Sequence, residues 1–143
     1  MRTWLIKSDP ETYGWSDLLR DGRTRWDGVR SAEARRNLRE MQVGDRAMFY
    51  HSQSDKAVVG EVEIVKSAYP DPTAKEGDWV CVDIRPLETW AVPVELSAMR
   101  SVAALADCSL VRQGRLSVMP MTNEHWKAVQ KLRKDAEKEV SLR

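Results

Sequence analysis

The sequence predicts an α+β protein: a small, mostly β barrel with helices packed around it. Three observations carry this expectation. Short β-type runs dominate the middle of the chain, bounded by Gly, Pro, Asp and Ser. Amphipathic stretches with capping residues lie between and beyond them. No repeat, low-complexity segment or Pro/Gly/Ser linker divides the 143 residues, so a single domain over residues 1–143 is expected.

The elements follow in order. Thr3 to Lys7 alternates weakly, with Trp4, Ile6 and Ser8 on one face, and Ser8 falls at the inner rim where the strand ends. Ser16 caps a short helix through Leu19 that Asp21-Gly22 ends, and Ser31 caps a longer one to about Met41, with Ala34, Leu38 and Met41 as its apolar stripe. Ala47 to His51 and Val58 to Val65 read as a hairpin across the polar turn Ser52 to Lys56. In the second strand Val58, Gly60, Val62 and Ile64 share a face while Glu61 and Glu63 point the other way. Gly60 there marks a bend or the close approach of another group. Ala68 to Thr73 holds two prolines and reads as a stiff loop. Trp79 to Ile84, Thr89 to Val94 and Leu116 to Met121 supply further strands. Ser97 and Asn123 cap two more helices, the last with Trp126, Val129 and Leu132 on its apolar face.

Composition excludes several function classes. Charged residues make up 31% and apolar ones 42%, which suits a globular chain and not a disordered one. With 23 Lys plus Arg against 22 Asp plus Glu, bulk charge is no means of coating nucleic acid or an anionic membrane, although a local patch stays open. Cys81 and Cys108 are too few for a disulfide framework or a zinc knuckle and point to a reducing compartment. Every apolar stretch is broken by a charge well short of the roughly 18 residues of a membrane span, and no apolar signal core opens the sequence. A cytoplasmic monomer, nuclear in a eukaryote, without cofactor or metal, is expected.

The charge is nevertheless sorted. Residues 20–39 hold seven Arg and three acids, a net of +4, so the other residues sum to −3. All the bases in that segment are Arg, whose planar fork matches phosphate and stacks on rings. A solvated helix face is the ordinary alternative. Within the segment lies Trp26-Asp27-Gly28-Val29-Arg30-Ser31, where Asp27-Gly28 makes a tight turn between a flat ring and a helix start. A ring beside backbone amides and an arginine suits a nucleotide, although a Trp that merely plugs the core is the plainer reading among six. Tyr50-His51-Ser52 and Arg115-Leu116-Ser117 are polar trios at strand ends, each weak alone.

Taken in order, WLIKSDP (4–10), WDGVRSAEARRNLREM (26–41), FYHS (49–52), VGEVEIV (59–65), AYPDPT (68–73), WVCVDI (79–84) and RLSVMPM (115–121) resemble the EVE domain, a family of the PUA-like superfamily, across nearly the whole chain. The resemblance implies a PUA-like pseudo-barrel of about five or six strands with flanking helices. It also implies a pocket for a modified base: relatives of the YTH type read methylated adenine, and a member of the family is regarded as a reader of modified cytosine in DNA. By motif matching, Lys7, Ser8, Trp26, Val29, Arg30, Tyr50, His51, Ser52, Asp71, Pro72, Arg115, Leu116 and Ser117 line or rim that pocket; the charge of the basic segment adds the expectation that Arg35, Arg36 and Arg39, with Arg30, hold the nucleic-acid backbone. Two departures stand out: Asp9 where the family usually has Glu, and Ser31 where it usually has Asn.

The expected function is therefore a non-enzymatic reader of a modified base in DNA or RNA. Two alternatives remain. One is a hydrolase of the ASCH type acting on modified nucleosides or RNA, with Lys7 as base or nucleophile, Asp9 or Asp71 as acid, and Ser8 and Ser52 as hydroxyls. Cys81 and His51 fall on different strands and give no support to a Cys-His couple. The other is a protein-interaction module docking through a basic or C-terminal helix.

Overall fold

The computed structural model describes residues 1–53, 55–75, 77–112 and 115–142. Its first strand, β1 (Thr3–Ser8), is apolar enough on both faces to lie inside a sheet, and it does. It pairs in parallel with β3 (Arg46–His51) and antiparallel with β6 (Val118–Met121). Strand β4 (Ala57–Pro70) returns antiparallel from β3, β5 (Val80–Glu95) from β4, and the short β2 (Thr24–Trp26) lies on the outer edge of β5. The order is β2-β5-β4-β3-β1-β6. A parallel pair needs a long crossover. Here it contains α1 (Pro10–Tyr13), α2 (Trp15–Asp21), β2 and α3 (Ala32–Glu40), and these carry the Trp26 segment onto the sheet.

Six strands with flanking helices agree with the expected α+β class. The sheet is not hydrogen-bonded into a closed barrel, because β2 and β6 end it without pairing to each other. Helix α3 occupies the place of that missing pairing, packed on β4, β5 and β6 through Ala34, Leu38 and the following Met41, all buried. The buried Asn37 donates from Nδ2 to the Val118 carbonyl at 2.7 Å, giving edge strand β6 the partner that a closed ladder would have supplied.

Several local expectations shift. Strand β4 continues through Ala68-Tyr69-Pro70, the stretch expected as loop, because its register slips between Ile64 and Tyr69 and Pro70 falls at the strand end, where its missing N–H is tolerated. The two strands expected at 79–84 and 89–94 are one bulged strand, β5. The β3–β4 hairpin is present; Ser54 in its turn lies outside the described residues. Helix α2 starts at Gly14 rather than Ser16, and Gly22 closes it in the left-handed conformation. Helix α4 (Leu96–Arg100) is capped at Glu95, so Ser97 lies inside it, and α5 (Ser109–Arg112) follows. Helix α6 (Asn123–Ser141) is capped by Thr122, whose Oγ1 accepts from His125 N at 3.0 Å, one residue before the expected Asn123.

The largest departure is Glu61, which the alternation turned away from the core. Helix α6 packs on β5 and buries it, where it accepts from Trp90 Nε1 at 2.9 Å and pairs with Arg133 at 3.1 Å. A buried charge survives only when it is paired and hydrogen-bonded, and both donors converge on its Oε2, one of them the Arg133 cation. None of the helices among the described residues is long and apolar enough to cross a membrane.

Gly60 marks a close approach. The Trp15 ring lies on its bare backbone, so closely that a Cβ at Gly60 would fall 2.4 Å from the ring. Trp15 Nε1 donates to Thr89 Oγ1 at 2.8 Å, and its ring meets Phe49 edge-on at 5.4 Å. Gly60→Ala is expected to lower stability by about 1–3 kcal/mol, the usual cost of forcing extra volume into a packed core. Urea denaturation checks this, with Lys134→Ala on the exposed side of α6 as an unaffected control.

Candidate nucleic-acid interface

The site grows from the ends of β1 and β3. Lys7 is in register with Tyr50 and Ser8 with His51, so by strand alternation the first pair shares one face of the sheet and the second pair the other. Ser52 N donates to the Ser8 carbonyl and Lys7 N to the Ser117 carbonyl, both at 2.9 Å, which fixes all three strand ends together.

On the Ser8 face lies a cleft of about 410 Å³ lined by Lys7, Ser8, Asp9, Thr12, Tyr13, Thr24, Arg25, Trp26 and Asp27. Its walls are two rings, Tyr13 and Trp26, with centroids 6.3 Å apart and planes 31° apart. Trp26 is half-buried, and its far edge rests on Phe49 at 5.5 Å and 70°. Phe49 in turn meets Trp15 on Gly60, so an unbroken run of rings holds Trp26 to the sheet. Tyr13 Oη donates to Asp21 at 2.8 Å, which fixes the second ring. The lining also carries hydroxyls: Thr12, Thr24, and Ser8, whose Oγ donates to the Tyr13 carbonyl. Asp9 caps α1, accepting from Glu11 N at 3.0 Å, a task that its short side chain performs better than the family's usual Glu. Arg25 and Asp27 pair at 2.8 Å. Two cations and two carboxylates leave the lining close to neutral.

The turn carrying Trp26 is clamped from across the fold. Asp71 has a fully buried side chain that accepts from Gly28 N at 2.9 Å, from Thr73 N at 2.8 Å and from the Thr73 hydroxyl, with Arg30 at 3.4 Å. Burial alone would raise its carboxyl, but the bonds from Thr73, Gly28 and Arg30 outweigh that and hold it at about 2. Arg30 also stacks over the Trp79 ring, 3.2 Å from its centroid. Ser31 caps α3 through Ala34 N at 3.3 Å, as expected, and its exposed hydroxyl stands where an Asn would serve equally as a cap.

The +4 of residues 20–39 is largely cancelled in space. Arg23 pairs with Asp83 at 2.9 Å, Arg30 with Asp71, Arg39 with Asp78 at 2.7 Å, and Arg20 with Asp17 and Asp21, both at 3.1 Å. Arg35 donates to the Asp78 carbonyl at 3.3 Å, so Arg35 and Arg39 tie α3 to the end of the β4–β5 connection. Arg36 is exposed and has no ion pair among the described residues.

A second cleft, of about 340 Å³, lies on the Tyr50 face and is lined by Lys7, Tyr50, Ser52, Gln53, Lys56, Leu96, Arg100, Leu110 and Val111. The expected site residues therefore divide: Lys7, Ser8 and Trp26 meet in the first cleft, and Lys7, Tyr50 and Ser52 in the second. The others line neither. Val29 and Leu116 are core residues, Pro72 and Arg115 are exposed beside them, and Ser117 contributes its carbonyl to Lys7. His51 is engaged at both nitrogens. Trp15 N–H can only donate, so Nε2 accepts from it at 3.0 Å and Nδ1–H donates to Asp55 at 2.8 Å. Tyr13, Thr12 and Thr24 went unremarked in the sequence; Tyr13 stands one helical turn after the KSDP motif, the only signal it offers. Among the described residues no group of three or more His, Cys, Asp or Glu is placed to hold a metal.

The EVE domain family model matches residues 2–132. This chain belongs to the EVE domain family. Human thymocyte nuclear protein 1 is 32% identical over 157 residues, which cover 86% of this chain and 70% of that protein. The structure of Rpa0253 from Rhodopseudomonas palustris shares 41% identity and a TM-score of 0.88, over 94% of both chains. The crystal structure of human THYN1 protein in complex with 5-methylcytosine containing DNA shares 31% identity and a TM-score of 0.83, over 93% of this chain and 98% of that one. A mutant ZmASCH protein from Zymomonas mobilis, at 11% identity and a TM-score of 0.57 over 92% of this chain and 99% of that one, shares the fold alone.

In this EVE domain the Asp71 clamp is testable by pH. Its folded carboxyl, at about 2, lies below the ordinary 3.8. The clamp therefore stabilises the fold fully above pH 4, and that contribution is lost as pH falls from about 4 towards 2. The shift corresponds to on the order of 2 kcal/mol. Urea melts of wild type and Asp71→Asn are expected to differ by about that much at pH 6 and to converge near pH 2.

Proposed function

We propose that this EVE domain is a reader that takes a modified base from a nucleic-acid strand into the cleft lined by Tyr13 and Trp26. The observation that carries the reading is the cleft's make-up: two rings held in place by their neighbours, hydroxyls in the same lining and a charge near neutrality. An uncharged heterocycle suits such a place, since a ring offers every base a stacking surface and hydroxyls meet its polar edge. The 5-methylcytosine DNA held by human THYN1 protein supports the class of ligand and favours DNA for the polymer. A base must leave its stack to enter, which is easiest from a single strand or a weakened pair.

Binding without turnover is the reading the side chains favour. The Asp9 carboxylate is engaged as a helix cap and the Ser8 hydroxyl by the Tyr13 carbonyl. Burial lowers the Lys7 ammonium below its ordinary range, which is the property a hydrolase would use in a base or nucleophile. Turnover of a modified nucleoside that vanishes in Lys7→Ala would replace the reader with that enzyme.

Stacking on one Trp is worth about 1–3 kcal/mol, or about five- to 150-fold in affinity. Trp26→Ala is expected to lose binding to 5-methylcytosine oligonucleotides by that factor, together with any preference over unmodified cytosine, in fluorescence anisotropy titrations run on DNA and RNA. Equal binding of the two proteins to every oligonucleotide would refute the reading.

A further inference from the structure

The first cleft is nearly neutral and the arginines of residues 20–39 are largely paired, so neither supplies a seat for the charge of a strand. The second cleft does. Three of its lining residues are cations, Lys7, Lys56 and Arg100, and none is an acid. Lys56 and Arg100 make no ion pair among the described residues. The nearest acids of the same connections are turned elsewhere: Asp55 onto His51 at 2.8 Å, and Glu95 towards Ser97 Oγ at 3.4 Å. Tyr50 lines the cleft with a hydroxyl that bonds no described residue, and the Lys7 ammonium lies 5.9 Å from the centre of its ring.

The backbone is shaped to present these groups. Gln53 and Lys56, at φ 65° and 46°, occupy the left-handed region that side chains other than glycine seldom adopt, and both line the cleft. Strain of this kind persists only where surrounding contacts hold it. Here the Lys56 carbonyl accepts from Leu96 N at 2.8 Å, which binds the β3–β4 turn to the start of α4, the helix that carries Arg100 at its end.

We propose that this cleft seats a backbone phosphate of the strand whose base enters the Tyr13–Trp26 cleft, with Lys56 and Arg100 as its principal cations. Lys7 lines both clefts, so one residue joins the seat of the base to the seat of the charge. The proposal rests on the reader assignment for the identity of the strand, but its charge chemistry is independent of which base is read. Phosphate contacts fix register and supply salt-dependent affinity, and base contacts supply the preference.

The two roles separate experimentally. Wild type, Lys56→Gln/Arg100→Gln and Trp26→Ala are titrated with modified and unmodified oligonucleotides from 50 to about 300 mM KCl, after thermal melts confirm folding; Gln keeps most of each side-chain stem. The double variant is expected to bind about tenfold or more weakly, with the slope of log K against log salt reduced by about one, as for one lost phosphate contact, while its preference for the modified base is kept. Trp26→Ala is expected to lose the preference and keep the slope. Arg100→Lys, which keeps the charge, is expected to retain most of the slope. An unchanged slope in the double variant overturns the phosphate seat. A wild type without base preference overturns the reader assignment alone, since the slopes on unmodified oligonucleotide still decide the seat. Inorganic phosphate, followed by amide shifts at Tyr50, Lys56 and Arg100, separates the sources: saturation by free phosphate with no oligonucleotide binding overturns the strand as its occupant.

Discussion

The contact on which the rest depends is the Trp15 ring lying on the bare backbone of Gly60. It lets an indole lie flat against a central strand, where any side chain would hold it off. Phe49 rests edge-on against that indole, and Trp26 against Phe49, so the cleft's main wall is positioned by the packing of the sheet. The Trp15 backbone N–H extends the same support to the end of β3 through His51. A ring fixed in this way has little conformational freedom left to lose in any contact that it makes.

Electrostatics divides the molecule as firmly as packing does. The acids of the β4–β5 region, Asp71, Asp78 and Asp83, are brought onto the arginines of residues 20–39, and the pairs knit the crossover to the sheet. What the sequence displays as a basic patch is in the fold mostly cement. The cations left over lie on the opposite face of β1, from three segments far apart in the chain. The two clefts that share Lys7 thus differ in charge, one near neutral and one cationic, on a chain whose net charge is only +1.

Much of the fold was legible from short-range rules. Gly22 and Ser31 ended and began helices as their chemistry requires, the β3–β4 hairpin followed from alternation, and Gly60 announced a close approach. Glu61 misled because alternation reports which residues share a face and is silent on what covers it; α6 arrives from 60 or more residues away to bury it. Pro70 misled because a proline forbids strand interior but permits strand ends. Of the expected site, Trp26, Ser8 and Lys7 converge, while His51 and Asp71 have every polar atom spent on holding the site's frame.

By itself the sequence determined the family, the α+β class and several of the helix boundaries, because motifs, capping and periodicity are properties of residues near one another in the chain. Only the tertiary structure decided that the sheet stays open with Asn37 satisfying its edge, that most arginines of the Arg-rich segment pair with acids, and that Lys56 and Arg100 line one cleft with Tyr50. Each of those depends on groups far apart in the chain, such as Asn37 and Val118 or Arg39 and Asp78, whose charges and hydrogen-bonding needs are met in space and leave no local trace.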